Sequence, residues 1–281
     1  MDELIKGIYD LHVHTAPDVV PRKCTDLELA QRMCDCGMKG GAIKCHFGDT
    51  SARAALLRQQ FPQLEIVGGI VLNRYAGGIN PYAVERAAQM GGKFVWFPTL
   101  EALSYQKFHH QNDSEADLSG FLSILDEKGK LLPAAIDVLD IAAQYHMVVA
   151  TGHIGAPEGM ALVREAVTKK VQMVLTHADN PADQYTVEEQ CEAVRMGAMV
   201  EHSYFTTYYD RTPIEEIVRQ IYAVGCENVI LSTDFGQPKS PYFDEGMEQY
   251  ARLLLQAGLS RKELFQMMGE NPRRLILQSY L

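Results

Sequence analysis

The decapeptide "YDLHVHTAPD", residues 9–18, places two histidines one residue apart at the end of a short apolar run. Successive side chains of a β-strand point to opposite faces. A strand over residues 7–13 therefore predicts His12 and His14 on one face and Leu11 and Val13 on the other. Two imidazoles on one face can bind one metal ion. A surface histidine beside a hydrogen-bonded core histidine also explains an isolated pair, so the rest of the chain has to discriminate between the two interpretations.

The composition is that of a folded globular protein and limits the classes of partner. The chain has 281 residues, 47% hydrophobic and 22% charged, a length that suits one α/β barrel as well as two ordinary domains. Its net charge of −10 disfavours a nucleic-acid surface, which requires clustered Lys and Arg. No apolar run approaches the roughly 20 residues that span a bilayer, and residues 1–10 lack the apolar core of a secretion signal. The six cysteines form no CxxC pair and indicate neither a zinc ribbon nor a disulfide scaffold. We therefore expect a cytoplasmic protein that binds neither nucleic acid nor membranes.

Short β-rich runs alternate with helical patterns from one end of the chain to the other. Eight strands are predicted, at Ile8–Val13, Gly41–Cys45, Ile66–Leu72, Phe94–Phe97, Met147–Ala150, Met173–Leu175, Ala198–Val200 and Val229–Leu231. Three of the intervening helices have recognisable boundary residues, which are Thr25 and Asp26 with Gly37, Asn80 with Pro81, and Thr212 with Pro213. This alternation predicts a parallel sheet, and about eight units in a chain of this length favour a closed barrel over an open doubly wound sheet. No GxGxxG motif follows the first strand. The predicted fold is therefore α/β, a single-domain (β/α)8 TIM barrel over residues 1–281.

Two segments extend this pattern. Residues Glu101–Leu132, after strand four, are too long for an ordinary loop between a strand and a helix. Within them "ILDEKGKLL", residues 124–132, predicts a small hairpin in which Gly129 supplies a positive φ angle, so the insertion is a candidate lid or interface element. After strand eight, the amphipathic stretch Asp244–Ala257 and the tail Ser260–Gln278 predict extra C-terminal helical structure.

Polar side chains follow the predicted strands at the point where each strand ends. In a (β/α)8 barrel these carboxyl ends meet at one face, where the functional residues gather. The residues placed there are His12, His14, Lys44, His46, His153, His177, Glu201, His202 and Asp234. Imidazoles with a carboxylate suit zinc, and also manganese, iron or nickel. The joint pattern therefore predicts a catalytic divalent metal site, with zinc as the first candidate.

Several motifs of this chain together resemble the amidohydrolase superfamily of metal-dependent barrels. They are the HxH of strand one, the single histidines after strands five and six, the aspartate in "STDFG" after strand eight, and the closing "ENPRRLI". The motifs "HTAPD", "GGIVLN", "VWFPT", "ATGH" and "STDFGQ" resemble an uncharacterised branch of that superfamily. The resemblance runs through nearly the whole chain. It implies a hydrolase that activates water to attack an amide, ester or lactone-type bond of a small molecule.

Position by position, the resemblance implies four histidine ligands and one acid. His12, His14, His153 and His177 match the metal ligands. Asp234 matches the strand-eight acid, which binds metal or accepts the proton of the attacking water. Asp234 is thus the predicted general base, with His177 as the alternative.

Strand four departs from the binuclear members of the superfamily, which carry a carbamylated lysine or a glutamate there. Lys93 lies at the wrong end of that strand, whereas Glu101 follows it and is a candidate further ligand, as is His46 after strand two. Lys44 has the same strand parity as His46 and is expected to point inward. An inward-pointing lysine has three explanations, which are contact with an anionic substrate, pairing with Glu201, and carbamylation. The number of metal ions, one or two, stays open.

Two other functions compete with this hypothesis. PHP-type phosphoesterases also begin with HxH and carry a histidine after strand two, as His46 does. Those enzymes end in an Asp-x-His ligand pair, where this chain has Gly236. A barrel that binds metal without turnover is the other alternative.

Loop residues predict the class of substrate and the assembly. Arg22 lies after strand one and Asn73 and Arg74 lie after strand three, and the arginines with Lys44 suit a carboxylate or phosphate group on a small substrate. The apolar side chains of "SGFLSIL", residues 119–125, are expected to cover the barrel mouth or a neighbouring subunit. We therefore expect a homo-oligomer.

Overall fold

The computed structural model, which describes residues 3–183 and 185–277, contains parallel strands that alternate with helices. The strands are β1 (Tyr9–Val13), β2 (Gly40–Ile43), β3 (Glu65–Val67), β4 (Gly69–Val71), β5 (Phe94–Trp96), β6 (Val148–Ala150), β7 (Gln172–Leu175), β8 (Met199–Ser203) and β9 (Val229–Ser232). The α-helices are α1 (Asp26–Cys36), α2 (Ser51–Gln60), α3 (Pro81–Gln89), α4 (Leu103–His109), α5 (Pro133–Gln144), α6 (Ala156–Lys169), α7 (Val187–Arg195), α8 (Tyr204–Tyr208), α9 (Ile214–Val224), α10 (Phe243–Gln256), α11 (Arg261–Phe265) and α12 (Asn271–Leu277). The predicted α/β class is confirmed.

The strands form two parallel sheets that adjoin at both edges. One sheet has the order β1-β2-β3, and the other runs in sequence order from β4 to β9. Only Gly68 separates β3 from β4. At the opposite edge the backbone N–H of Asp234 donates to the carbonyl of His12 at 2.9 Å, and the N–H of His14 donates to the carbonyl of Phe235 at 2.8 Å. The carboxyl ends of β1 and β9 are therefore joined directly.

The third predicted strand is two strands in the structure. Thr50 inserts beside Gly68, where a Cβ would lie 2.4 Å from the Thr50 carbonyl oxygen. The Thr50 hydroxyl donates to the Ile43 carbonyl at 2.7 Å, and the Thr50 N–H donates to the Gly69 carbonyl at 2.9 Å. The prediction of one uninterrupted strand is wrong, because this side chain takes the place of ladder hydrogen bonds.

Capping residues explain where the helices begin and end. Thr25 caps α1 by a reciprocal capping box with Glu28, and Gly37 ends that helix at a φ of +79°. Asn80 caps α3, as predicted. The third predicted boundary is shifted, since Pro213 rather than Thr212 is the N-cap of α9. The Thr212 hydroxyl instead donates to the carbonyl of Asp179 at 2.8 Å and is therefore not available as a cap.

A β-bulge in β1 changes which side chains share a face. The pairing of β1 with β2 shifts register between Asp10 and Val13. Leu11 packs in the smaller cluster, which also contains Trp96, whereas Val13 packs in the larger cluster. The prediction that Leu11 and Val13 share a face is therefore wrong.

The insertion and the C-terminal tail largely follow the prediction. Residues 101–132 contain α4 and a turn with an antiparallel bridge between Leu125 and Leu131, with Gly129 at a φ of +74°. The tail forms α11, a π-helical turn over Gln266–Glu270, and α12, while Gln278 lies outside the described residues. Among the helices of the described residues, none has the length and apolar character needed to cross a bilayer.

Candidate metal centre

Two imidazoles and a carboxylate converge where β1 and β9 end. The Nε2 atoms of His12 and His14 each lie 3.1 Å from Oδ1 of Asp234. One ligand atom from each of the three residues lies within 4.8 Å of the other two. Both histidines are buried, and Asp234 adopts a positive φ of +54° that turns its side chain toward them. The structure thus brings together three of the predicted ligands.

Glu201 holds His12 from behind. Nδ1 of His12 donates to Oε1 of Glu201 at 2.8 Å, and Glu201 Oε1 also accepts from the hydroxyl of Ser232 at 2.5 Å. Burial alone lowers the pKa of His12, but the charges of Asp234 and Glu201 outweigh it and raise that pKa to about 9. Burial raises the pKa of Glu201, yet His12 holds it at about 2. Because Nδ1 is bound to this carboxylate, Nε2 is the nitrogen presented to Asp234.

His177, in the turn after β7, also has a carboxylate behind its imidazole. Its Nδ1 contacts Oδ2 of Asp183 at 2.5 Å, and its ring centroid lies 5.8 Å from that of His12. Burial lowers the pKa of His177, but the Asp183 charge prevails and raises it. The residue adopts a positive φ of +29° in the turn after β7. A carboxylate behind each of two histidines is the arrangement commonly found around metal-binding imidazoles.

His14 and His153 are neutral imidazoles with an unused nitrogen. Burial lowers the pKa of His14 to about 3 and holds that of His153 well below its usual value. Nδ1 of each ring is buried without a hydrogen-bond partner among the described residues. The His153 ring centroid lies 4.9 Å from that of His177. A metal ligand must be deprotonated, and both rings meet that condition.

Lys44 and His46, from the end of β2, border the same centre. Nζ of Lys44 lies 2.9 Å from Nε2 of His12. Burial lowers the pKa of Lys44, against the opposing charges of Asp234 and Glu201. The His46 ring stacks on His14 with centroids 4.6 Å apart, and its Nδ1 lies 2.8 Å from the Thr99 hydroxyl. Within the described part of the chain, Lys44 contacts an imidazole and forms no ion pair with Glu201.

The charged loop candidates are bound to other protein groups. Oε1 of Glu101 accepts from Nε of Arg74 at 2.9 Å. Nε of Arg22 lies 2.6 Å from Oδ2 of Asp18. Lys93 donates to the carbonyl of His146 before β6, at the amino end of the strands, as the sequence suggested. Glu101 is therefore not part of the three-residue cluster.

Asn73 is also engaged, but in support of a site residue. Its amide nitrogen donates to the His46 carbonyl at 3.0 Å and to the Thr99 hydroxyl at 2.8 Å. Its amide oxygen accepts from the Thr99 backbone N–H at 2.8 Å. Asn73 thus orients His46, and both N–H groups of its amide are already used.

His202 lies in β8 rather than after it, on the opposite face from Glu201. Its Nδ1 lies 2.9 Å from Oδ1 of Asp179, and the same carboxylate accepts from the Thr206 hydroxyl. The strand runs to Ser203, three residues beyond the predicted end, because paired backbone groups continue past the apolar residues. The alternation of strand side chains therefore excludes His202 from the metal cluster.

A cavity of about 130 Å³ opens above the cluster. Its lining consists of His46, Leu100, Tyr105, His153, His177, Asn180, Phe205, Arg211, Asp234 and Gln237. Sequence analysis did not identify Tyr105, Asn180, Arg211 or Gln237 as site residues. Gln237 is the last residue of the quoted motif "STDFGQ", and Asn180 lies three residues after His177. Arg211 belongs to no motif and is identified only by its position in the loop after α8.

Solved structures with the same fold include several enzymes. An amidohydrolase from Pseudomonas aeruginosa matches with a TM-score of 0.62 at 14% identity, covering 98% of this chain and 96% of that one. The probable dipeptidase PvdM of the same organism matches with a TM-score of 0.65 at 13% identity, covering 97% and 96%. The phosphotriesterase homology protein of Escherichia coli, solved with phosphate in its active site, has a TM-score of 0.56 at 13% identity, covering 98% and 99%. The chain therefore shares its fold with these enzymes, which agrees with the resemblance of its motifs.

Sequence comparison adds a family assignment. No curated protein matches the chain at a significant level. A family model matches residues 7–201, which include β1 through Glu201 and hence most of the cluster. The match covers more than half of the chain, which accordingly belongs to the family of unknown function DUF6282.

Proposed function

We propose that this protein is a metal-dependent hydrolase whose eight strand-and-helix units close into a (β/α)8 barrel around one or two divalent ions. The observation that carries the proposal is the convergence of His12 and His14 Nε2 on Asp234 Oδ1. Two imidazoles and a carboxylate fit zinc best, and also fit manganese, iron or nickel. The carboxylate behind His12 supports this fit, because it holds Nε2 toward the ion.

His12, His14 and Asp234 would hold the first ion, with His153 and His177 as adjacent donors. A divalent ion there supplies Lewis-acid chemistry, which lowers the pKa of water toward about 7 and polarises a carbonyl or phosphoryl oxygen. Asp234 remains ionised at neutral pH, because His12 and His14 overcome its burial and hold its pKa well below the usual value. Asp234 is therefore able to accept the proton of the attacking water. His177 lines the same cavity with only Nε2 free, so it would serve there either as a ligand or, when not bound to the ion, as the alternative base.

The substrate proposed is a small molecule with an amide, ester or lactone-type bond. The amidohydrolase and the probable dipeptidase of the same fold support this class. A phosphoesterase of the PHP type is the weaker candidate, because Gly236 stands where those enzymes carry a ligand. A Cβ at Gly236 would lie 1.9 Å from the His14 carbonyl oxygen, so a ligating side chain does not fit there.

Metal analysis together with a hydrolysis screen tests the proposal. Purified protein should retain about one or two equivalents of zinc, manganese, iron or nickel, and chelation followed by reconstitution should abolish and restore hydrolysis of simple esters, lactones or amides. Protein that binds no divalent ion under any reconstitution would refute the metal centre. Protein that binds metal but hydrolyses none of these substrates would support the alternative of a non-catalytic metal-binding barrel.

We also propose a homo-oligomer that uses the insertion. Ile124 is buried within the protomer, while Phe121 and Leu122 remain partly exposed. Light scattering on the purified chain should show a mass above that of the monomer. A monomeric mass would restrict the insertion to covering the cavity, which Tyr105 already lines.

A further inference from the structure

One arginine stands at the junction of two cavities. Arg211, in the loop between α8 and α9, lines the central cavity together with Asn180. The same two residues line a second cavity of about 230 Å³, whose other walls are Phe108, His109 and Pro181. The two cavities therefore adjoin at Arg211 and Asn180, so a ligand that extends from the metal cluster toward solvent passes this pair.

Arg211 differs from the other predicted arginines near the site because no carboxylate is paired with it among the described residues. Arg22 is paired with Asp18, and Arg74 with Glu101. Among the described residues, no ion pair or side-chain hydrogen bond engages the guanidinium of Arg211. Its Cζ instead lies 4.8 Å from the centroid of the Phe205 ring. Stacking on an aromatic face leaves the N–H groups at the edge of the guanidinium free to bind an anion.

Two further polar groups face the ligand space. Oδ1 of Asn180 accepts from the Ala182 N–H at 3.2 Å, which leaves its amide nitrogen as a donor beside Arg211. Gln237 donates to the Asp234 carbonyl at 2.9 Å, while its Oε1 is buried without a partner among the described residues. The cavity thus offers donors from Arg211 and Asn180 at its mouth.

The charge balance favours a carboxylate over a phosphate at the mouth. One guanidinium neutralises one negative charge and matches a carboxylate through two parallel hydrogen bonds. A phosphate monoester carries close to two charges at neutral pH. Arg211 is the one lysine or arginine among the described residues that line the two cavities, so the second charge would have no cationic partner at the mouth. Leu100, Tyr105 and Phe205 supply an apolar wall between the mouth and the cluster.

We propose that Arg211 and Asn180 bind the carboxylate of an anionic substrate at the cavity mouth and so direct its scissile amide or ester bond toward Asp234. This inference rests on the proposed hydrolase function and names its substrate class. It replaces Arg22 and Arg74 as the expected anion-binding groups, because their charges are already neutralised.

Matched ligands test the proposal by binding, without any need for turnover. Benzoate, benzamide and phenyl phosphate are titrated calorimetrically into the metal-loaded wild type, Arg211→Gln and Arg164→Gln. Arg164 is an exposed arginine of α6 that pairs with Glu192, so its variant controls for the loss of one positive charge. Benzoate should bind wild type and Arg164→Gln alike and bind Arg211→Gln about 10- to 100-fold more weakly, the usual range for a charge-assisted pair. Benzamide binding should not change.

Hydrolysis supplies a second, separable readout. The ester pair 4-acetoxybenzoate and 4-acetoxybenzamide differs only in the distal charge. The KM of the anionic ester should rise at least about tenfold in Arg211→Gln, with the neutral ester unaffected. Hydrolysis of both esters without a carboxylate preference would overturn this inference while the proposed function stands. Arg211-dependent benzoate binding without any hydrolysis would support the inference and count against the proposed function. Equal benzoate affinity in wild type and Arg211→Gln, or tighter binding of phenyl phosphate, would also overturn the inference.

Discussion

Glu201→Gln is expected to weaken metal binding although Glu201 is not one of the three converging ligands. The wild-type carboxylate accepts from Nδ1 of His12 at 2.8 Å and from the Ser232 hydroxyl at 2.5 Å, both through Oε1. Its Oε2 lies 3.4 Å from the backbone N–H of His177. A glutamine removes the charge, and either orientation of its amide points an NH₂ group at one of these donors. His12 would then face either an NH₂ group or a neutral amide oxygen in place of the carboxylate that keeps Nε2 directed at Asp234.

The size of the effect follows from the role of this carboxylate. Removal of a carboxylate behind a metal-binding histidine typically lowers metal affinity by about 10- to 100-fold. That range corresponds to about 1.4 to 2.7 kcal/mol of binding free energy. Glu201 is buried, so solvent does not screen the lost charge.

Competition with a chromogenic chelator measures the zinc affinity of wild type and variant directly. Glu158→Gln is the matched control, since Glu158 is also a buried acceptor, with Ser123 and the Ile124 N–H as its donors, but lies outside the cluster. The control should bind zinc as tightly as wild type, and both variants should remain folded by circular dichroism. Wild-type zinc affinity in Glu201→Gln would refute the inference that this carboxylate supports a metal ligand.

Three further predictions concern the same centre. Asp234→Asn should retain most of the metal while the hydrolysis rate falls about 10²- to 10⁴-fold. His14→Ala should lose metal and activity together. Metal content and turnover, measured on the same samples, distinguish the two results. Full activity in Asp234→Asn would mean that another group is the general base, with His177 as the first candidate. Gly236→Ala should lower the free energy of unfolding by about 1 to 3 kcal/mol in denaturant titration, because φ is +141° and the new Cβ would lie 1.9 Å from the His14 carbonyl oxygen. The control Gly48→Ala, with open space around the new Cβ, should leave the free energy of unfolding unchanged. Zinc affinity should rise with pH up to about 9, since below the raised pKa of His12 the metal must displace a proton. Zinc titrations at several pH values that show no such rise would contradict the assignment of His12 as a ligand.

Much of the architecture can be predicted from local sequence. Strand and helix periodicities are properties of a few neighbouring residues, so the alternation, the caps at Thr25 and Asn80 and the turn at Gly129 are correct without any knowledge of the fold. The placement of His12, His14 and Asp234 also follows, because parallel strands bring their carboxyl ends to the same side of a sheet.

Interactions between segments far apart in the sequence determined the features that local patterns did not predict. Thr50 divides the third strand, and the bulge in β1 separates Leu11 from Val13, through contacts that no local pattern encodes.

The roles of charged residues depended most on tertiary structure. Glu201 supports His12 across 189 residues of sequence, and Glu101 is bound by Arg74 and not by the cluster. Arg211 is the arginine left without a carboxylate among the described residues near the cavity. The sequence by itself determined which side chains reach the end of a strand, because that depends on local periodicity. Only the tertiary structure decided which of their charges are already neutralised, because a neutralising partner can come from any segment that folds within a few ångströms.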